Sequence, residues 1–146
     1  MNIIHHDLRE ELPEEWWLAA GMPNFVRSAS AYRCDHEAAE PRRVCLIPIL
    51  DIGPFRRASG VPIFNDDREN GISARERVER ILHAFAVNAA LPPIKLTKQA
   101  GRYPFDLRDG AHRLLCSIAA GFTEIPAVRF IDLAALDAGS DLEELC

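Results

Sequence analysis

The run Tyr103-Pro104-Phe105-Asp106-Leu107-Arg108-Asp109-Gly110-Ala111-His112-Arg113-Leu114-Leu115 changes periodicity in its middle. Tyr103, Phe105 and Leu107 alternate with Pro104, Asp106 and Arg108, the period of a half-buried strand. Leu114, Leu115 and Ile118 then recur at helical spacing until Gly121, a glycine placed to stop a helix. A strand over 103–108 therefore passes almost directly into a helix over 111–120. Upstream, Ile94-Lys95-Leu96-Thr97 reads as a strand and Lys98 to Arg102 as a turn, so residues 94–108 form a hairpin. Downstream, Ile125 to Phe130 supplies another strand.

Working outward, Ser73 and Glu76 make the S-x-x-E capping box, and Val78, Ile81, Leu82 and Phe85 follow on one helical face. A helix over 73–89 is expected, ended by Leu91-Pro92-Pro93. Val44 to Leu50 is an apolar run of strand length whose Pro48 points to a sheet edge or a bulge. Strands and helices in this order predict a small α/β (α+β) fold, a mixed sheet with packed helices. Residues 44–146 form that domain and residues 1–43 an N-terminal extension. Within the extension, Pro13 to Ala20 reads as a short helix carrying Trp16 and Trp17, and 27–43 as a polar connector. Asp51 to Asn70 is a long loop, and Asp132 to Leu136 begins a short acidic helix or tail.

The length of 146 residues suits one domain, and 48% hydrophobic content suffices for a core without staples. A net charge of −5 disfavours nucleic acid as a partner. Arginine greatly outnumbers lysine, which is confined to Lys95 and Lys98, a balance suited to forked contacts with carboxylate or phosphate. No apolar run approaches a membrane span and residues 1–11 lack a secretory pattern, so a cytoplasmic protein is expected. There Cys34, Cys45, Cys116 and Cys146 would be free thiols, Cys116 on an apolar helical face. Cys34-Asp35-His36 with Cys45 has neither the spacing nor the fourth ligand of a zinc site, and no metal site is expected.

The strand-to-helix turn carries the chemistry. A helix N-terminus presents unpaired N–H groups and a partial positive charge, which receive phosphate, sulfate or carboxylate. Asp109 reads as its N-cap, and Gly110 allows close backbone approach. His112 and Arg113 fall in the first helical turn, where a cation is unfavourable by roughly 0.3–1 kcal/mol. A bound anion would turn both into ligands. The alternative is that Asp109 or Asp106 neutralises Arg113 and His112 is a packed imidazole.

Pro93-Ile94-Lys95-Leu96, the strand to Leu107, Asp109-Gly110-Ala111-His112-Arg113, and Gly121 through Ile125-Pro126-Ala127-Val128 together resemble the ParB/sulfiredoxin superfamily in order and spacing. The resemblance covers about 40 residues well. It implies a nucleotide-binding domain, with ATP or CTP held through its phosphates by Gly110, Ala111, His112 and Arg113, and magnesium as a companion. Asp109 and His112 become the candidate catalytic residues, Asp109 orienting a metal or a substrate hydroxyl. Ala111 stands where sulfiredoxins carry their reactive cysteine, so that chemistry is not implied. The helix-turn-helix domain that follows in partition proteins does not fit in this length either. Free-serine kinases are nearest at the motif; their catalytic glutamate would have to correspond to Asp51, Asp66, Asp67 or Glu69. The implied activity is an ATP-dependent phosphotransferase or nucleotidase. A non-catalytic sensor of a nucleotide or other anion, signalling to a protein partner or a second copy through the extension, is the alternative, and a nuclease a weaker one.

Overall fold

A computed structural model describes residues 8–39, 42–54, 68–69, 72–130 and 145–146. Its centre is a mixed four-stranded sheet built from β1 (Cys45–Pro48), β4 (Ile94–Lys98), β5 (Phe105–Asp109) and β6 (Glu124–Arg129) in the order β1-β6-β4-β5. β4 and β5 form the expected antiparallel hairpin, β6 runs parallel to β4, and β1 is antiparallel to β6 at the edge. The edge position explains why Pro48, which has no N–H to give, is tolerated at its end. The remaining short strands, β2 (Arg68–Glu69) and β3 (Ile72–Ser73), pair with each other.

The register sets Cys45 and Ile94 on either side of Ala127, and Ile47 beside Ile125, so one face of the sheet is a continuous apolar surface. Helices α3 (Ala74–Val87) and α4 (Ala111–Ala120) contact each other, and Val78, Leu82, Phe85, Leu114 and Leu115 join those strand residues in one core. α3 begins as the capping box requires: the Ser73 hydroxyl accepts from the Glu76 N–H at 3.1 Å. It ends on Asn88 in the left-handed conformation. The expected 111–120 helix is present, with Gly121 as its left-handed cap.

Several boundaries differ from the sequence expectation. The first strand stops at Pro48, and Ile49–Asp51 tightens into a 3-10 turn instead of extending the strand to Leu50. β5 is displaced to 105–109, because the backbone pairing of Lys95 with Asp109 carries the strand through a register shift to the edge of the glycine. The N-terminal segment forms α1 (Leu8–Glu11) and α2 (Glu14–Ala19), with Pro13 capping α2 rather than filling its first position. The expected helix near 132–136, like Asp66 and Asp67, lies outside the described residues.

The N-terminal segment belongs to the same core as the sheet. Leu12, Trp16, Ala20, Met22 and Tyr32 are buried among the residues of α3 and α4. Trp17 is half-buried, with the Arg9 guanidinium 3.9 Å from its ring centre. Tyr32 stacks on Phe85 at 5.8 Å, and Phe85 meets Phe122 edge-on at 5.1 Å. Backbone bonds fix the path: Asp35 donates to the Leu91 carbonyl at 2.8 Å, Leu91 to Arg33 at 2.9 Å, and both Thr123 and Glu124 to Ser30 at 3.0 Å.

Cys45 and Cys146 are joined by a disulfide, with their Cα atoms 6.1 Å apart. This corrects the expectation of four free thiols. Leu145 is buried in the core beside the bridge, and that docking brings Cys146 to β1 across a sequence separation of 101. Cys34 and Cys116 remain free. No helix among the described residues is long and apolar enough to cross a membrane.

Candidate functional site

Between the last residue of β5 and the first of α4 there is one residue, Gly110. It has φ +104°, and a Cβ there would sit 2.6 Å from Ile94 Cγ2 and 3.1 Å from Arg113 Nη2. The glycine is thus required by the left-handed turn and by the contact of the turn with β4. Gly110, not Asp109, is the N-cap of α4. Asp109 is still paired in β5, and no side chain caps the helix. Within α4, Leu114 donates to the Gly110 carbonyl at 3.0 Å. The preceding first-turn amides of Ala111, His112 and Arg113 belong to the group that a helix cannot satisfy internally. The first turn holds no acid, so the positive end of the helix is not offset there.

Arg113 turns back toward the scaffold. Its Nη2 donates to the Pro93 carbonyl at 3.4 Å and lies 3.8 Å from Asp109 Oδ2, while its Nε is buried without a hydrogen-bond partner. The Tyr32 hydroxyl, which donates to the Pro92 carbonyl at 2.6 Å, also feels this guanidinium. Burial pushes the Tyr32 hydroxyl well above its ordinary range and Arg113 partly opposes the shift. The Asp109 side chain is 60% exposed against 22% for Arg113, so the i,i+4 ion pair is a solvent-screened contact.

These residues line an open cleft of about 670 Å³, within the range of small-molecule sites. One wall is Leu107, Arg108, Asp109, Gly110, Ala111, His112 and Arg113. The other is α3, through Arg77, Arg80 and Ile81. Four arginines and a histidine face one carboxylate among the described lining residues, in a chain whose net charge is −5. Arg108 also has its guanidinium 5.0 Å from the Phe130 ring centre. The α3 wall was not anticipated from sequence. Its signal was the i, i+3, i+4 grouping Arg77, Arg80, Ile81 on the flank of the apolar stripe, but nothing local shows that this flank meets the β5–α4 turn.

Sequence had also nominated acids between the first strand and first helix. Ile52 bridges Phe105 and the Gly53 N–H donates to the Phe105 carbonyl at 2.8 Å, which places Asp51 near the far end of β5. At about 3.3 Å per residue, Phe105 is some ~13 Å from Asp109 along the strand. Glu69 lies in β2, and Asp66 and Asp67 are outside the described residues.

Elsewhere the chemistry is quieter. A hollow of about 280 Å³ between residues 21–33 and α3 is lined by Phe25, Tyr32, Phe85 and Phe122, with Arg33 the charged residue among its lining. Burial pushes the Cys116 thiol up, and burial followed by Asp35 does the same to Cys34, so both favour the unreactive protonated form. Cys45 is committed to its disulfide, and no group of three or more metal-ligating side chains occurs among the described residues. The sequence-nominated Asp109, Gly110, Ala111, His112 and Arg113 thus all line the one cleft, together with Arg77, Arg80 and Arg108. No family model, curated protein or solved structure matches the chain.

Proposed function

We propose that this protein binds a phosphate-bearing small molecule, a nucleotide such as ATP or CTP, in the cleft between α3 and the start of α4. The observation that carries the reading is the basic lining: Arg77, Arg80, Arg108, His112 and Arg113 around an uncapped helix end in an otherwise acidic chain. The phosphate would rest on the amides of Ala111, His112 and Arg113, with Gly110 shaping the turn. Ile81 and Leu107 offer the apolar contact that a base needs.

In an ATP-dependent phosphotransferase or nucleotidase, Asp109 would orient the acceptor or a magnesium ion and His112 would move a proton. A non-catalytic nucleotide or anion sensor is the second reading, favoured by the pairing of Asp109 with Arg113. A protein partner or second copy meeting the N-terminal segment would find Leu18 and Val26, 56% and 84% exposed, rather than the Trp16 ring. A cytoplasmic setting belongs to this reading, with the Cys45–Cys146 bridge then subject to cellular reductants.

A thermal-shift panel of ATP, ADP, CTP and GTP, with and without magnesium, tests the binding. Ligand at 100 times its Kd should stabilise the fold by about 2.7 kcal/mol. Absence of a shift at millimolar nucleotide would refute it. Release of inorganic phosphate on incubation with the stabilising nucleotide separates enzyme from sensor.

A further inference from the structure

We infer that Tyr32 is a positioning residue for the anion site: its hydroxyl and the Pro92-Pro93 carbonyls fix the Arg113 guanidinium at the end of the cleft, so anion affinity depends on the docked N-terminal segment. The inference rests on the phosphate-site reading above and deepens it.

Three parts of the chain far apart in sequence meet at this point. Tyr32 comes from the N-terminal segment, Pro92 and Pro93 lead into β4, and Arg113 lies in the first turn of α4. The Tyr32 hydroxyl donates to the Pro92 carbonyl at 2.6 Å, and Arg113 Nη2 donates to the next carbonyl, that of Pro93, at 3.4 Å. Both prolines have a fixed φ, which limits how far the two acceptors can turn relative to each other. Leu91, just before them, is pinned to the N-terminal segment: it donates to the Arg33 carbonyl at 2.9 Å and accepts from the Asp35 N–H at 2.8 Å. Tyr32 is 4% exposed and its ring stacks on Phe85, so the hydroxyl has no freedom to turn elsewhere. A phenol that gives its hydrogen to one carbonyl keeps its lone pairs for a second donor. The guanidinium is near enough to act on that hydroxyl by charge and by hydrogen bonding.

Arg113 needs this support because its other contacts among the described residues are weak. Its side chain is 22% exposed, yet the Asp109 carboxylate 3.8 Å away is mostly in solvent, the bond to Pro93 is long, and Nε is buried without a hydrogen-bond partner. A mostly buried guanidinium so sparsely matched keeps donors in reserve for an anion in the cleft that it lines. The same sparse matching would leave it free to turn. Tyr32 restricts that motion, and an arginine already aimed loses less freedom when the anion arrives.

NMR titration of the full chain with ATP and with CTP tests this in the parent, Tyr32→Phe, Arg113→Ala and the double variant. Tyr32→Phe removes the hydroxyl and keeps the ring, and circular-dichroism melts establish that each variant is folded at the titration temperature. For whichever nucleotide binds, Tyr32→Phe should lower affinity about three- to tenfold, the range expected from one hydrogen bond. In the Arg113→Ala background the same change should have no further effect, a result that a general loosening of the fold would not produce. A second readout needs no folded variant of Tyr32. In the ligand-free parent the Arg113 Nε–H resonance, assigned by its loss in Arg113→Ala, should be protected from solvent exchange and its guanidinium should rotate slowly; Tyr32→Phe should speed that rotation. A parent guanidinium that rotates freely, an affinity unchanged in folded Tyr32→Phe, or an equal loss with and without Arg113 would overturn the inference while leaving the phosphate site standing. If neither nucleotide binds the parent at millimolar concentration, the inference and the phosphate-site reading fail together.

Discussion

Replacing Gly110 by alanine probes whether the turn before α4 is shaped by packing, and the structure provides its own control in Gly121. Both glycines are left-handed caps of the same helix, with φ +104° and +89°. A Cβ at Gly121 meets nothing within 4 Å, so Gly121→Ala reports the backbone penalty alone, roughly 1–2 kcal/mol. At Gly110 the same methyl would fall 2.6 Å from Ile94 Cγ2 and 3.0 Å from Ile94 Cβ. Ile94 is fully buried in the central strand β4, between β6 and β5, and has no open side to move toward. Overpacking of that kind adds roughly 1–3 kcal/mol, for a total of about 2–5 kcal/mol. Urea denaturation of the three proteins with a common m-value gives both numbers. Equal losses for the two variants, or a loss below about 0.5 kcal/mol at Gly110, would show that the turn is not pressed against Ile94. Gly110 would then be explained by something other than the sheet contact.

Other outcomes follow from the same geometry. Under oxidising conditions Cys146→Ser should lower stability by about 4–5 kcal/mol, the chain-entropy value for a loop of this order. Reductant should do the same to the parent and nothing to the variant; a parent melt indifferent to reductant would exclude the bridge. The Cys116 thiol is fully buried and its pKa is raised above the ordinary 9.0. A folded-state pKa raised this way means the unfolded chain loses its proton first. Stability is therefore unaffected below pH 9 and falls above it, by about 1.4 kcal/mol at pH 10. Cys116→Ala should flatten that slope in pH-dependent melts at the expense of stability at neutral pH. Arg113→Ala should weaken binding of the stabilising nucleotide about tenfold; unchanged affinity in calorimetry would leave Arg113 a purely structural residue. Acrylamide should quench Trp17 more than Trp16, and two equally accessible indoles would contradict the packing of α2.

Much of the fold is legible locally because each element carries its own punctuation. Ser73 and Glu76 start α3, Gly121 ends α4, and Pro48 marks an edge, each through a backbone requirement that needs no tertiary partner. The strand-to-helix turn is legible for the same reason, since the period switches from two to helical within a few residues. What sequence placed wrongly is what depends on competition between neighbours. Asp109 has the chemistry of an N-cap, but its pairing with Lys95 in the hairpin holds it in the strand and moves the cap to Gly110. What it missed is set by tertiary approach. Arg77 and Arg80 become part of the cleft only because α3 lies beside α4, and Cys146 reaches Cys45 only because Leu145 docks in the core. Neither long-range meeting leaves a mark in local spacing.

The Cys45–Cys146 bridge closes residues 45–146 into a covalent ring, with residues 1–44 attached outside it. Yet Leu12, Trp16 and Tyr32, which lie in that outer segment, fill the core that the ring encloses. Proteolysis therefore has two different consequences. A single cut inside the ring linearises it without releasing a fragment, and reductant is needed to separate the pieces. A single cut in the connector around 40–44 divides no ring, and the N-terminal fragment is then held by packing alone. It should leave under denaturant whether or not the disulfide is intact.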